Sequence, residues 1–308
     1  MRVLFMGTPE FAVPTLEALI QEHEVIGVYT QPDKPKGRGK AMAFPPVKEK
    51  ALEHNIPVFQ PAKVRVPEVV AEIEAMNPDA IVVVAFGQIL PESILNIPKY
   101  GCINVHASLL PKYRGAAPMQ WAIIDGEKET GITTMYMAKG LDTGDMILKA
   151  VTPIGPKETG ETLHDRMSVM GGPLIIETLK QIEAGTAPRT PQDDSLSCYA
   201  AMLDKELGCI DWKKDAASIE RLIRGLNSWP SAYTFWNEKT LKIWDSEVVE
   251  YSGEEECGTV VVKDKFSFTV KCGEHALKIL EVQLQGKKRM TAQAFLVGNQ
   301  VETGMRLG

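Results

Sequence analysis

Residues 80–86 read AIVVVAF, a continuous apolar run dominated by β-branched side chains, with no polar residue alternating along it. A strand buried on both faces of a parallel sheet reads this way, because helices cover both sides of such a sheet. Working outward, residues 66–79 (VPEVVAEIEAMNPD) form an amphipathic helix pattern that Asn77-Pro78 closes, and 101–107 (GCINVHA) follow as the next strand. Upstream, RVLFMG (2–7), VIGVYT (25–30) and PVFQP (57–61) are extended, separated by helical patterns in PEFAVPTLEALIQ (9–21) and PVKEKALEHN (46–55). Downstream come a helix in APMQWAIIDG (117–126) and the strand pair GITTMYMA (131–138) and DMILKAVTPI (145–154). A long helix over 161–185, interrupted at Gly171-Gly172, ends this half. Strands alternating with helices of this length predict an α/β, Rossmann-like layered domain over residues 1–189, built on a mainly parallel sheet with flanking helices.

The texture then changes. TAPRTPQDDSLSCYAAML (186–203) is rich in Pro, Thr, Asp and Ser, and 190–206 reads as a linker. Beyond it, one short helix (SIERLIRGLN, 218–227) precedes five strand-like runs at close spacing. That pattern over 207–308 predicts a small barrel or sandwich. At 308 residues, 44% hydrophobic and 24% charged, the chain has the composition of a soluble globular protein of two domains. No apolar run approaches the ~20 residues of a membrane span, and MRVLFMGTPEF is too short in its apolar part for a signal peptide, so a cytoplasmic location and no membrane partner are expected. Cys102, Cys198, Cys209, Cys257 and Cys272 are scattered, without a C-x-x-C pair or a His at ligand spacing; the reading is free thiols in a reducing compartment and no metal.

Several nucleotide chemistries are disfavoured. MGTPEFAVP (6–14) has a single glycine after the first strand and lacks G-x-G-x-x-G, GRGKA (37–41) lacks the phosphate-loop frame, and no G-x-S-x-G elbow occurs. What the chain does carry is INVHA. Side chains two apart on a strand share a face, so Asn104 and His106 project together at the carboxyl end of the sheet, where open α/β sheets hold ligands. An amide N–H can meet negative charge developing on oxygen, and an imidazole can carry a proton near neutrality. The pair suits acyl transfer, with a carbonyl addition and an oxyanion. KGLDTGDM (139–146) supplies two acids, Asp142 and Asp145, either of which could orient the imidazole. The plainer alternative is a packed histidine, an asparagine bonded to local backbone and a tight turn at Thr143-Gly144.

NVHASLLPKYRGAAP (104–118) together with LDTGDM (141–146) resembles the signature of the 10-formyltetrahydrofolate-dependent formyltransferases. The resemblance extends through MGTPEFAVP, TQPDKPKGRGK (30–40), AFGQILP (85–91), IDW (210–212) and IRGLNSWPSAY (223–233), in one order across both domains, and is similar to those members that formylate an aminoacyl-tRNA. It implies catalytic roles for Asn104, His106 and Asp142, Asp142 being the first acid of the L-D-x-G segment. It implies folate contacts at Ser108, Leu109, Leu110 and Pro111, and a pterin pocket helped by Phe86, Gly87, Gln88, Ile89 and Leu90. The implied formyl donor is 10-formyltetrahydrofolate, used as a substrate, with no metal.

The implied acceptor is initiator methionyl-tRNA; the alternatives are a sugar nucleotide or another small amine, and an RNA-binding protein with an inactive catalytic domain. The resemblance assigns tRNA contact to the basic loop PDKPKGRGK, through Lys36, Arg38 and Lys40, and it implies an OB-like barrel for residues 207–308. The net charge of −6 disfavours indiscriminate nucleic-acid binding. Residues 205–308 carry 15 Lys+Arg against 15 Asp+Glu, so an RNA surface there must come from segregation of charge, with Lys287, Lys288 and Arg289 the first candidates and Arg221 and Arg224 the second. Trp212, Trp229 and Trp236 read as core or interface anchors. A monomer is the default expectation.

Overall fold

The computed structural model describes residues 1–36 and 41–308, with Lys36 and Ala41 described by their backbone alone. The chain forms two compact units: Met1–Gly115, Thr130–Thr152 and His164–Ala200 make the first, and Ala116–Glu129, Pro153–Leu163 and Ala201–Gly308 the second.

The first unit is built on seven strands: β1 (Arg2–Gly7), β2 (Glu24–Tyr29), β3 (Val58–Phe59), β4 (Ala80–Val84), β5 (Cys102–His106), β6 (Glu129–Tyr136) and β7 (Met146–Pro153). They lie side by side in the order β7-β6-β5-β4-β1-β2-β3. The block from β3 to β5 is parallel, and β6 runs antiparallel to β5. All five residues of β4 are buried, as a central strand covered on both faces must be. In β1, Val3, Leu4, Phe5 and Met6 are fully shielded, each large side chain contributing about 1.5–3 kcal/mol. Helix α1 (Val13–Glu22) starts on Pro14 and stops at the extended His23. Helix α2 (Pro67–Met76) ends at Asn77, whose φ of 47° is a left-handed cap. The expected long helix breaks at the predicted place: one helix ends at Ser168, and α3 (Gly171–Glu183) begins at the glycine pair and packs on α1.

The segment 190–206 is divided between the units, and up to Ala200 it is no free tether. Thr190 exchanges both backbone hydrogen bonds with Met146 (2.9 and 3.0 Å), and Tyr199–Ala200 pairs in parallel with Arg114–Gly115. Its proline and short polar side chains fit a strand-poor surface path that still pairs its backbone at Thr190, Cys198 and Tyr199–Ala200.

The second unit carries an antiparallel sheet of β8 (Ala232–Trp236), β9 (Lys239–Val249), β10 (Val260–Lys263), β11 (Phe268–Lys271), β12 (Ala276–Leu284) and β13 (Met290–Thr291). The path is β8-β9-β12-β11-β10, with β13 on β12. The last residues tie its two edges: the Val260 N–H donates to the Met305 carbonyl at 2.8 Å, and the Gly308 N–H donates to the Phe235 carbonyl at 3.1 Å. Edge groups paired in this way give the sheet a barrel-like closure. Trp212 and Trp236 lie in its core, as expected, but Trp229 is 59% exposed, in the turn before β8. Arg221 Nε donates to the Ile124 carbonyl (3.1 Å) and Arg224 Nη1 to the Glu158 carbonyl (2.9 Å), so both guanidinium groups are engaged within the unit. No helix among the described residues is long and apolar enough to cross a membrane.

Candidate active site

Strand β5 delivers the site. Its register sets Asn104 beside Val83 of β4, and on the other edge pairs His106 with Thr133 of β6. Ile103 and Val105 point to the opposite face and are 0% and 3% exposed, which locks the strand's rotation. Asn104 and His106 therefore share a face at the strand's carboxyl end.

Asp142 arrives from the loop between β6 and β7 with φ 51°, a conformation that Asp tolerates better than most residues. Its Oδ1 accepts from Asn104 Nδ2 at 3.3 Å and its Oδ2 from the Gly115 N–H at 2.9 Å. The same Oδ2 stands 3.7 Å from His106 Nδ1, ion-pair distance but too long for a direct hydrogen bond. His106 Nε2 meets the Tyr113 carbonyl at 2.9 Å; a carbonyl only accepts, so that nitrogen carries a proton. The ring is 6% exposed. The second acid of the turn goes elsewhere: Asp145 Oδ2 lies 3.3 Å from Arg189 Nε. Of the two acids that spacing left open, Asp142 is the one gathered with Asn104 and His106.

This arrangement orders the amide. A carboxylate only accepts, so the Asn104 nitrogen, and not its oxygen, faces Asp142, and one further N–H remains to donate. Asn104 is partly exposed, as a group that meets a substrate needs to be.

The segment after β5 is less open than the sequence implies. Ser108 is fully buried: its Oγ donates to the Lys112 carbonyl at 2.7 Å, and its own carbonyl accepts from Thr133 Oγ1 at 2.7 Å. Leu110 is buried with Met135 and Met146, and its carbonyl accepts from Lys149 Nζ at 2.5 Å. Burial lowers the Lys149 ammonium from its ordinary range. Of residues 108–111, Leu109 and Pro111 are the two whose side chains reach the surface in part. In the loop after β4, Phe86 and Leu90 are buried, while Gly87 is exposed and Ile89 is 81% exposed. Gln88 is committed to the fold, accepting from the Val64 N–H at 2.7 Å and donating to the Pro61 carbonyl at 3.1 Å.

Of the basic loop, Arg38 and Lys40 lie outside the described residues, and Lys36 enters only through its backbone pairing with Ala41. In the second unit Lys287, Lys288 and Arg289 are all exposed. Arg289 stacks over the Trp244 ring at 4.9 Å and pairs with Glu281. No three His, Cys, Asp or Glu side chains among the described residues are grouped to hold a metal. A cavity of about 570 Å³ is lined by Tyr100, Cys102, Tyr136 and Arg189. It lies where β5 begins, at the other end of that strand from His106, and burial pushes its Cys102 thiol up to about 12, away from nucleophilic use.

Composition hid one residue of this site. Gln192, in the stretch read as a linker, donates to the carbonyls of Asp142 and Gly144 at 2.8 Å each.

Residues 1–179 match the formyl transferase family, and 202–300 match the formyl transferase C-terminal domain. The chain is 56% identical over 307 residues to the methionyl-tRNA formyltransferase of Geobacter metallireducens, covering 99% of this chain and 98% of that one. It is 57% identical over 305 residues to the enzyme of the same name from Agathobacter rectalis, covering 99% and 98%. Among solved structures, WlaRD, a sugar 3N-formyl transferase, superposes with a TM-score of 0.68 at 20% identity over 94% of this chain and 99% of that one. The N-formyltransferase of Helicobacter canadensis superposes with a TM-score of 0.67 at 20% identity, over 92% and 99%. These two share the fold. The chain belongs to the formyl transferase family and, within it, to the methionyl-tRNA formyltransferases.

Proposed function

We propose that the protein transfers the formyl group of 10-formyltetrahydrofolate to the α-amine of initiator methionyl-tRNA, giving N-formylmethionyl-tRNA for translation initiation in the cytoplasm. The observation that carries the reaction is the Asn104 amide held on Asp142 beside His106. The full-length likeness to methionyl-tRNA formyltransferases supports the acceptor.

The amine nitrogen adds to the formyl carbon, and charge moves onto the formyl oxygen. The free N–H of Asn104 donates to that oxygen; a donor so placed lowers the barrier by about 3–4 kcal/mol. Collapse of the adduct breaks the bond from the formyl carbon to N10 of the folate, and the proton lost by the amine ends on that nitrogen. His106 serves the oxyanion or this proton transfer through Nδ1, the nitrogen not committed to Tyr113. Asp142 balances the imidazole's charge and orients the amide. A donor already oriented by its hydrogen bond to Asp142 loses little order at the transition state.

Ser108 and Leu110 are assigned to shaping the folate pocket from beneath, with Leu109, Pro111, Gly87 and Ile89 as its accessible lining. Phe86, Gln88 and Leu90 fix the loop that carries Gly87 and Ile89. The domain scheme is a catalytic domain over 1–189, a connecting segment over 190–206 and an OB-like tRNA-binding domain over 207–308. Lys36, Arg38 and Lys40, with Lys287, Lys288 and Arg289, are assigned to phosphate contacts, and the protein is taken to act as a monomer.

The test is a formyl-incorporation assay with 10-formyltetrahydrofolate and three acceptors: charged initiator tRNA, an amino-sugar nucleotide and glycinamide ribonucleotide. Turnover with the tRNA alone is expected. Preferred turnover with either small amine contradicts the acceptor, and no folate-dependent turnover with any of them contradicts the reaction.

A further inference from the structure

Gln192 lies in TPQDD (190–194), a stretch without apolar periodicity. Its side chain is nevertheless fully engaged. Nε2 donates to the carbonyls of Asp142 and Gly144, each at 2.8 Å, and Oε1 accepts from Arg114 Nε at 3.0 Å. An amide nitrogen has two hydrogens, so both are spent on the carbonyls that flank Thr143.

Those carbonyls belong to a loop that needs outside support. Asp142 has φ 51°, and a residue with a side chain keeps such a backbone only where its surroundings over-determine it. Gly144 is pressed against β6, since a Cβ there would lie 1.7 Å from the Tyr136 carbonyl oxygen. The rest of the segment continues the stitching. Arg189 stacks on Tyr136 at 4.1 Å and pairs with Asp145, and Thr190 pairs with Met146. On the other side the Cys198 carbonyl accepts from the Arg114 N–H at 3.0 Å, and Cys198 Sγ accepts from the Tyr113 N–H at 3.2 Å. Residues 189–200 thus form a strap joining the two loops that meet at the Asp142 carboxylate: the one that bears it and the one whose Gly115 N–H holds it.

We infer that Gln192 is a positioning residue for formyl transfer, its one amide fixing the Asp142–Gly144 carbonyls and the Arg114 guanidinium so that the Asp142 carboxylate stands correctly against Asn104 and His106. The inference rests on the proposed role of Asp142 in the reaction. Gln192 contacts the loop's backbone and not Asn104 or His106, so its loss acts on the geometry of the reacting groups more than on substrate affinity. A misplacement of ~1 Å at reacting groups costs about a hundredfold in rate.

The experiment compares wild type with Gln192→Leu, which keeps the size and removes the donors, and with Gln192→Glu, which sets a carboxylate against the two carbonyls. Steady-state kinetics use 10-formyltetrahydrofolate and charged initiator tRNA, at a temperature where melting curves show each variant folded. The expected result is kcat lower by about 10- to 100-fold, with KM for both substrates within about twofold of wild type. Added to Asp142→Asn, Gln192→Leu is expected to cost little more. Unchanged kcat in both folded Gln192 variants, or a double variant whose loss is the product of the single losses, overturns the inference while Asp142→Asn stays impaired. Full activity in Asp142→Asn itself instead overturns the reading of Asp142, and the inference falls with it.

Discussion

At the end of β5 the candidate groups are bound to one another: Asp142 is shared by Asn104 and the Gly115 N–H, and its own side chain is 12% exposed. At the turn after β12 the candidate side chains stand in solvent, those of Lys287 and Lys288 exposed and that of Arg289 laid along Trp244. The two regions illustrate two kinds of function. Transition-state chemistry depends on where single atoms are, and losing one donor costs orders of magnitude. Phosphate recognition sums many screened contacts, each small and replaceable. Mutations in the two regions should therefore differ in size and in which kinetic constant they move.

The largest effect is expected for Asn104→Ala and His106→Ala, each raising the barrier by about 3–4 kcal/mol and lowering kcat with little change in thermal stability. Steady-state rates and melting curves on the same preparations check this, and near-normal kcat would erase the contrast between the regions. Gly115→Ala comes next. Its φ is 119°, and a Cβ would lie 2.6 Å from the Ala200 carbonyl oxygen, so the N–H that holds Asp142 must move. A loss of about 1–3 kcal/mol in stability and a fall in kcat are expected, read by denaturant titration and by assay.

The third test is on the solvent side. Lys287→Ala with Lys288→Ala should raise KM for the tRNA severalfold, leave kcat in place and reduce the slope of log affinity against log salt by about one unit per lysine. An unaltered slope in a salt titration would remove these lysines from the RNA surface. The smallest effect lies apart from both regions. Asp215 caps helix α4 (Ala216–Gly225), accepting from the Ser218 N–H at 2.8 Å. Hydrogen bonds from Ser218 hold the Asp215 carboxyl below the usual carboxylate range. Its stabilisation is then fully present above the unfolded pKa of about 3.9, and it fades as pH falls through the lower folded value. Asp215→Ala should cost about 1 kcal/mol at neutral pH, should lose that difference in acid, and should leave kcat unchanged; stability measured against pH checks all three.

How far the sequence could be read follows from the same contrast. AIVVVAF revealed the central strand because burial on both faces leaves a compositional mark, and the two-residue period of INVHA placed Asn104 and His106 on one face. Spacing could not choose between Asp142 and Asp145, because their separation depends on a left-handed backbone at Asp142 and on an ion pair with Arg189. Ser108, given a folate contact by the resemblance, is buried and tied to Lys112 and Thr133, a loop geometry with no periodic signature. Gln192 was illegible for a further reason. Its contacts lie 50 and 48 residues away in the chain, and a segment that pairs mainly by backbone and one amide has the composition of a tether. Trp229 shows the limit of residue type alone, since its large ring remains exposed where burial was expected.

The account turns on the Asn104 amide doing its work because Asp142 holds it. The most direct measurement is single-turnover formyl transfer to charged initiator tRNA by Asn104→Ala, Asp142→Ala and the double variant. A shared unit predicts that the double variant is about as slow as the slower single variant. Losses that multiply, with each single variant correctly folded, would mean that the two side chains act independently and would contradict it.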